Sequence, residues 1–146
     1  PTILPTDKGV NPIGTLNPKN SVEAETMAFS KGVKVTQNDD TGVYVCDIHD
    51  GDSIVVRVAD FGLVTPTCYT AGIASALQGG KIVVHIDRPD GPQLCTLLVP
   101  HTGGWEKWQT VEAKLERKIT GVHDLYFLFQ GNPGAKLFNF DWWQFK

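Results

Sequence analysis

The stretch that decides the fold is Leu-Phe-Asn-Phe-Asp-Trp-Trp-Gln-Phe, residues 137–145. Its dense aromatic content is typical of a β-strand that packs into a core. Two small polar residues, Asn139 and Asp141, stand among the aromatic ones. Burying an unpaired amide or carboxylate is costly, so each needs a ligand, a metal ion or a hydrogen-bond partner. We therefore predict that this strand carries part of the core and part of a functional site.

Strand signals recur through most of the sequence and are separated by Gly, Asn, Asp and Pro. In one segment, for example, Ile82, Val84 and Ile86 are spaced by two and share one face. No window shows a sustained helical period. The pattern predicts an all-β protein, a two-sheet antiparallel β-sandwich of the jelly-roll type. Strands are predicted at 21–28, 33–37, 43–48, 53–58, 69–76, 81–87, 94–99, 108–115, 122–129 and 137–145.

The 146 residues are the length of one domain. The net charge is −3, and the sequence contains no cluster of basic residues that would favour binding to nucleic acid. No apolar run is long enough to cross a bilayer, and the sequence opens without a signal peptide. Residues 1–16 are rich in Pro and Gly, so we predict a linker remnant there and a folded module at 17–146. Such a module, cut from a larger polypeptide, would lack its parent's export signal.

Cysteine usage gives little information about function. Cys46, Cys68 and Cys95 are odd in number and lack the spacing of metal ligands. We favour free thiols buried in strands, with one disulfide and a spare thiol as the alternative.

An acidic pair near the start of the predicted module indicates a cation site. Glu23 and Glu25 are two residues apart, so on a strand both carboxylates face the same way and repel each other. Asp141 could join them, because the first and last strands of a sandwich often lie side by side. Three carboxylates together with backbone carbonyls suit Ca²⁺, which prefers several oxygen ligands. The alternative is a solvated edge without metal.

A tryptophan flanked by glycines indicates a binding loop. In His-Thr-Gly-Gly-Trp-Glu-Lys-Trp, residues 101–108, the glycines allow a sharp loop and leave Trp105 little local packing. Sugar rings stack on aromatic faces, and their hydroxyl groups need fixed hydrogen-bond partners. We expect Trp105 to be such a platform and Trp108 to belong to the core.

Catalysis is not favoured by the sequence. A glycosidase needs two carboxyl groups flanking one bond, and the best pair is already assigned to the cation site. No Gly-x-Ser-x-Gly or His-Glu-x-x-His pattern occurs. The acidic run 47–52 lacks the spacing of a calcium loop, and Asp50-Gly51 predicts a hairpin turn instead.

Four motifs together resemble family 6 carbohydrate-binding modules. They are Val-Glu-Ala-Glu-Thr at 22–26, Thr-Gly-Gly-Trp-Glu-Lys-Trp at 102–108, Gly-Val-His-Asp-Leu-Tyr-Phe-Leu-Phe at 121–129 and Phe-Asn-Phe-Asp-Trp-Trp-Gln-Phe at 138–145. The similarity runs from about Leu16 to the end of the sequence. The lead-in Ile-Gly-Thr-Leu-Asn-Pro at 13–18 is similar to modules that follow family 43 glycoside hydrolase domains.

The resemblance implies a structural Ca²⁺ bound by the positions of Glu23, Glu25 and Asp141. It also implies a sugar-binding cleft in loops at one end of the sandwich. In that cleft Trp105 would stack on a sugar, Asn139 would bind hydroxyl groups, and Gln37 falls where a polar contact is common. The family's second aromatic falls near Asp47, which cannot stack, so we expect Tyr44 to take that role.

These expectations describe a non-catalytic module that binds plant cell-wall polysaccharide, xylan or its oligosaccharides or arabinoxylan. We expect it to be an extracellular monomer, covalently linked to a glycoside hydrolase of a bacterial enzyme, with no nucleic-acid or membrane partner. Three alternatives stay open: a structural module with a degenerate cleft, binding of β-glucans at a second site on the concave sheet face, and a small hydrolase.

Overall fold

The computed structural model of the protein describes residues 14–146, so most of the predicted linker at 1–16 lies outside the described residues. Within 14–146 the regular structure is entirely β, and no helix is long and apolar enough to cross a membrane. The strands are β1 (Val22–Glu23), β2 (Phe29–Lys31), β3 (Lys34–Asn38), β4 (Gly42–Cys46), β5 (Ser53–Asp60), β6 (Cys68–Ala74), β7 (Gly80–Ile86), β8 (Gln93–Val99), β9 (Gln109–Lys114), β10 (Val122–Gln130) and β11 (Asn139–Phe145).

The strands form two sheets, which confirms the predicted antiparallel sandwich. One sheet has the order β3-β4-β11-β6-β9, with β1 also paired to β11, and the other has the order β2-β5-β10-β7-β8. Every pairing between named strands is antiparallel. The sequence neighbours β4 and β5 therefore lie in different sheets. The turn at Asp50-Gly51 joins the two sheets, whereas the dipeptide alone had predicted a hairpin.

Strand β11 lies between β4 and β6 and contains a one-residue bulge. Phe140 pairs with Ile73 and Trp142 pairs with the next residue of β6, Gly72, so Asp141 is the extra residue. The bulge lets two side chains three positions apart, Phe140 and Trp143, both point into the core, where each is fully buried. β1 pairs with the same strand, as expected for the first and last strands.

The core lies between the sheets and is strongly aromatic. Ring contacts link Tyr69 and Phe127 to Trp143, and further edge-on contacts join Phe129 to Phe138 and Phe140. Edge-on packing of this kind adds about 0.5–1.5 kcal/mol per pair beyond area burial. Aromatic rings therefore form the centre of the contact between the two sheets.

All three cysteines are free thiols, as favoured from the sequence. Cys95 is buried, whereas Cys46 and Cys68 are half-buried.

Most predicted strands match to within about two residues at each end, and the largest differences lie near the start of the module. The predicted strand 21–28 is a strand only at Val22–Glu23, because the chain then turns, with the Thr26 amide donating to the carbonyl of Glu23 at 2.9 Å. A short edge strand, Phe29–Lys31, follows and was not predicted. Leu16 is tied to the sandwich, since its amide donates to Val58 and its carbonyl accepts from Asp60.

Gly72 gives a test of how the outer face of β11 packs. A Cβ atom at this position would collide with the indole of Trp142. We expect Gly72→Ala to lower the free energy of unfolding by about 1–3 kcal/mol, measured by urea denaturation. In a Trp142→Ala background the same change should cost much less. An equal cost in both backgrounds would contradict this packing.

Candidate functional site

Loops from both sheets meet at one end of the sandwich. The antiparallel pairings bring the ends of β4, β6, β8 and β10 to this end together with the start of β11. The loop between β8 and β9 contributes Trp105, and the loop between β10 and β11 contributes Lys136. The first residue of β11, Asn139, lies beside them. Residues far apart in sequence are therefore held near one another by rigid strands.

The loop that bears Trp105 is fixed at its base by Thr102 and Ser75. The Thr102 amide donates to the Ser75 carbonyl at 2.9 Å, and the Ser75 amide donates to Thr102 Oγ1 at 2.9 Å. Ser75 is fully buried, and its hydroxyl donates to the carbonyl of Leu137 at 2.7 Å. Gly103 follows with a φ of 98°, a conformation that favours glycine. The loop therefore leaves the sheet in a defined direction.

Trp105 and Asn139, both predicted as site residues, are brought together. Trp105 is partly exposed, while Asn139 is 5% exposed. The side-chain nitrogen of Asn139 donates to the backbone carbonyl of Trp105 at 2.7 Å. This hydrogen bond holds the backbone of Trp105 in place. Asn139 therefore positions the loop in addition to lying beside the indole.

A lysine that the sequence analysis did not select lies beside Trp105. Lys136 Nζ is 5.4 Å from the centre of the indole ring and 3.3 Å from Asp47 Oδ1. Lys34 Nζ is 4.0 Å from the other carboxylate oxygen of Asp47. Asp47 thus holds an ammonium group next to the indole, at the position where the sequence resemblance implied a second aromatic ring. A cation over an indole is attracted to the ring's electron-rich face.

An open groove of about 480 Å³ continues from Lys136 along the same end of the sandwich. Leu77, Ala135 and Leu137 give it an apolar floor, and its polar side chains include Gln78, His101 and Asn132. A volume of this order suits a small ligand or a single sugar unit.

Tyr44 lies below the surface. It is 5% exposed, its ring meets that of Trp108 edge-on at 5.1 Å, and its hydroxyl donates to Glu106 Oε2 at 3.0 Å. Trp108 in turn donates from its indole nitrogen to Thr41 Oγ1 at 2.7 Å. As the side chains stand, Tyr44 supports the loop from beneath and does not present the ring face that a second wall of the cleft requires.

Gln37 lies on the exposed strand β3, away from Tyr44. It pairs with Val43, while the adjacent pair is Thr36 with Tyr44. Because paired residues share a face and neighbours alternate, Gln37 and Tyr44 point to opposite sides of this hairpin. The structure therefore does not place these two residues on one surface.

Comparison with known proteins assigns the family. The model for "Carbohydrate binding module (family 6)" matches residues 23–146. This chain belongs to carbohydrate-binding module family 6. The assignment confirms the resemblance seen in the four sequence motifs, and modules of this family bind carbohydrate without catalysis.

Related modules occur within larger enzymes and as solved structures of their own. An arabinoxylan arabinofuranohydrolase of Bacillus subtilis (strain 168) is 42% identical over 142 residues, covering 94% of this chain and 27% of that protein. The family 6 module of Clostridium cellulolyticum in complex with xylose superposes with a TM-score of 0.84 at 29% identity, covering 90% of this chain and 99% of that one. A β-1,3-glucan-binding family 6 module of Bacillus halodurans has a TM-score of 0.83 at 31% identity, with coverage of 89% and 97%. The chain spans about a quarter of the length of the first of these relatives.

The module's acidic cluster has the donor chemistry of a cation site. Burial, and then the negative charges of Glu23 and Glu25, raise the pKa of Asp141 to about 6. Burial also raises the pKa of Glu25, whose Oε1 is buried with no hydrogen-bond partner among residues 14–146. Within residues 14–146, as their side chains are placed, no three Asp, Glu, His or Cys residues are grouped so that they could hold a metal ion. The three carboxylates suit a hard cation, provided that their side chains turn toward one another.

Thr102 allows a test of how the loop is held. We expect Thr102→Val, nearly equal in size, to lower the free energy of unfolding by about 1–3 kcal/mol, because the buried Ser75 amide loses its acceptor. Thermal and urea unfolding would measure the change. The same substitution at exposed Thr110 is the control and should stay within about 0.5 kcal/mol of wild type. Equal effects at both positions would contradict the anchoring role.

Proposed function

We propose that the module binds plant cell-wall polysaccharide, specifically xylan, its oligosaccharides or arabinoxylan, through a platform centred on Trp105. The observation that carries the proposal is the partly exposed indole on a loop whose carbonyl is fixed by Asn139. A platform that is already ordered loses little conformational entropy when a sugar stacks on it. The amide oxygen of Asn139 accepts no hydrogen bond within residues 14–146 and is free for a sugar hydroxyl.

The choice of xylan rests on what similar proteins are named for. The Bacillus subtilis relative and a Paenibacillus polymyxa relative that is 38% identical are both arabinoxylan arabinofuranohydrolases. Gln37, exposed on β3, is proposed as a further contact with sugar hydroxyl groups. Contact of a sugar with Tyr44 would require Trp108 and Glu106 to move aside.

The proposed role is to keep an attached glycoside hydrolase near an insoluble substrate. A tethered module raises the effective concentration of the enzyme at the polymer without forming any covalent bond. We propose that the module works outside the cell, where cell-wall polysaccharide is found, and as a monomer.

β-Glucan is the second candidate ligand, since the Bacillus halodurans module binds β-1,3-glucan and is 31% identical. A structural module with a degenerate cleft is the alternative to binding, and the salt-bridged Asp47 in place of a second aromatic favours it. Affinity electrophoresis on soluble xylans and laminarin would separate the three.

We further propose that Glu23, Glu25 and Asp141 hold a structural Ca²⁺. The support is the mutual repulsion of these carboxylates, the unpartnered Glu25 Oε1 and the pairing of β1 with β11. The ion would neutralise the cluster and link the beginning of the module to its last strand.

Replacing Trp105 tests the binding platform. We expect Trp105→Ala to weaken xylohexaose binding by at least about 30-fold, because the stacking surface is lost. In titration calorimetry, the variant should then give no measurable binding. The melting temperature should be nearly unchanged. The control is Phe29→Ala, which removes an aromatic ring that is 62% exposed on the edge strand β2. This variant should bind xylohexaose with the affinity of wild type. Unchanged affinity of Trp105→Ala would place the site elsewhere.

The calcium proposal predicts a pH-dependent stabilisation. Without metal, the pKa of Asp141 is about 6 in the folded protein, above its value in the unfolded chain. The folded state therefore loses stability as pH rises from about 4 to 6, and the penalty is complete above that range. Because Ca²⁺ binds the ionised carboxylates, it should raise the melting temperature by about 5 °C or more at pH 7, and by much less at pH 4.5.

The control for calcium is Asp141→Asn, which should abolish most of the Ca²⁺-dependent shift in calorimetric melts with and without chelator. The proposal fails if wild type shows no shift, or if the shift is the same at both pH values.

A further inference from the structure

The groove next to Trp105 carries positive charge on its wall. Lys136 lines the groove and is also the residue whose ammonium group lies 5.4 Å from the indole centre. His101 lines the same groove, with Nδ1 hydrogen-bonded to the carbonyl of Leu77 at 2.9 Å. No acidic residue is among the residues lining the groove in the described part of the chain.

The nearby carboxylate of Asp47 is shared between two lysines. Asp47 interacts with both Lys136, at 3.3 Å, and Lys34, at 4.0 Å, so two ammonium groups face one carboxylate. Glu106, the acidic residue next to Trp105 in sequence, accepts a hydrogen bond from Tyr44 on another side of the loop. Lys136, Lys34 and Asp47 together carry a net charge of +1, which a neutral sugar does not need.

We propose that the groove binds a uronic acid unit of the glycan whose neighbouring sugar stacks on Trp105, and that Lys136 recognises its carboxylate. This inference rests on the proposed function of Trp105 and names the substrate class more closely. The apolar floor formed by Leu77, Ala135 and Leu137 would carry the sugar ring. Asn132 and Gln78, already joined by a 3.2 Å hydrogen bond, would meet its hydroxyl groups.

The charge arrangement also gives Asp47 a role in the proposed site. A carboxylate there holds Lys136 against the indole, ready for an incoming acid, whereas a second aromatic ring would give a closed cleft for a neutral sugar. Lys136 itself is 46% exposed in its side chain, so a ligand can reach it without unfolding the loop. Exposed ion pairs contribute little each, so the effect on affinity should be moderate.

The test compares two ligands that differ in one group. One is a xylo-oligosaccharide with a single glucuronic acid branch, and the other is the same oligosaccharide after reduction of its carboxyl group. We expect wild type to bind the acidic form about fivefold more tightly at low salt, and this preference to vanish in about 0.5 M NaCl. Titration calorimetry would measure both affinities.

Three variants separate the causes. Lys136→Gln should bind both ligands equally, Lys136→Arg should keep the preference, and Lys107→Gln, which removes an exposed charge outside the groove lining, should behave as wild type. Equal affinities in wild type, or a preference that persists in Lys136→Gln, would overturn the inference while leaving the platform intact. If wild type bound neither ligand, the inference and the proposed function of Trp105 would both fail.

Discussion

The bulge in β11 is the constraint on which the arrangement of this module depends. A single extra residue, Asp141, lets Phe140 and Trp143 both enter the core. Without it, a strict alternation would turn one of these rings to the outer face, because a shift of one residue reverses every side chain. The same bulge leaves Asp141 close enough to Glu23 and Glu25 for their charges to raise its pKa.

The proposed binding platform lies where that strand begins. Asn139 is the first residue of β11, and the pairing with β6 places it beside Ala74, just before the Ser75 that anchors the Trp105 loop. One hydrogen bond from Asn139 then fixes the backbone of Trp105. The rigid sheet thus determines where a sugar chain would meet an aromatic surface. β11 contributes one residue to each of the two proposed sites, Asn139 beside Trp105 and Asp141 in the acidic cluster.

Much of this could be predicted from sequence, because alternation, turns and motif order are local signals. The sandwich followed from alternation and turns, and the pairing of first and last strands is common in such folds. The meeting of Trp105 with Asn139 was implied by the resemblance of the four motifs to the family. Lys136 was not predicted, since its role depends on a distant partner, Asp47, that only the fold brings near. The burial of Tyr44 likewise depends on a tertiary contact with Trp108. The bulge is visible in the spacing of the aromatic residues. Those at 138, 140 and 142 are two apart, and the next ones, at 143 and 145, are shifted from that spacing by one residue.

The most direct test of the account is the amide and indole spectrum of the ¹⁵N-labelled module during titration with xylohexaose. The sequence has four tryptophans, so four indole N–H signals can be followed separately. The account predicts that the signal of Trp105 shifts progressively with added sugar while that of Trp143, which is fully buried, stays in place. A spectrum in which Trp105 is unmoved while the indole of Trp142 responds would contradict it.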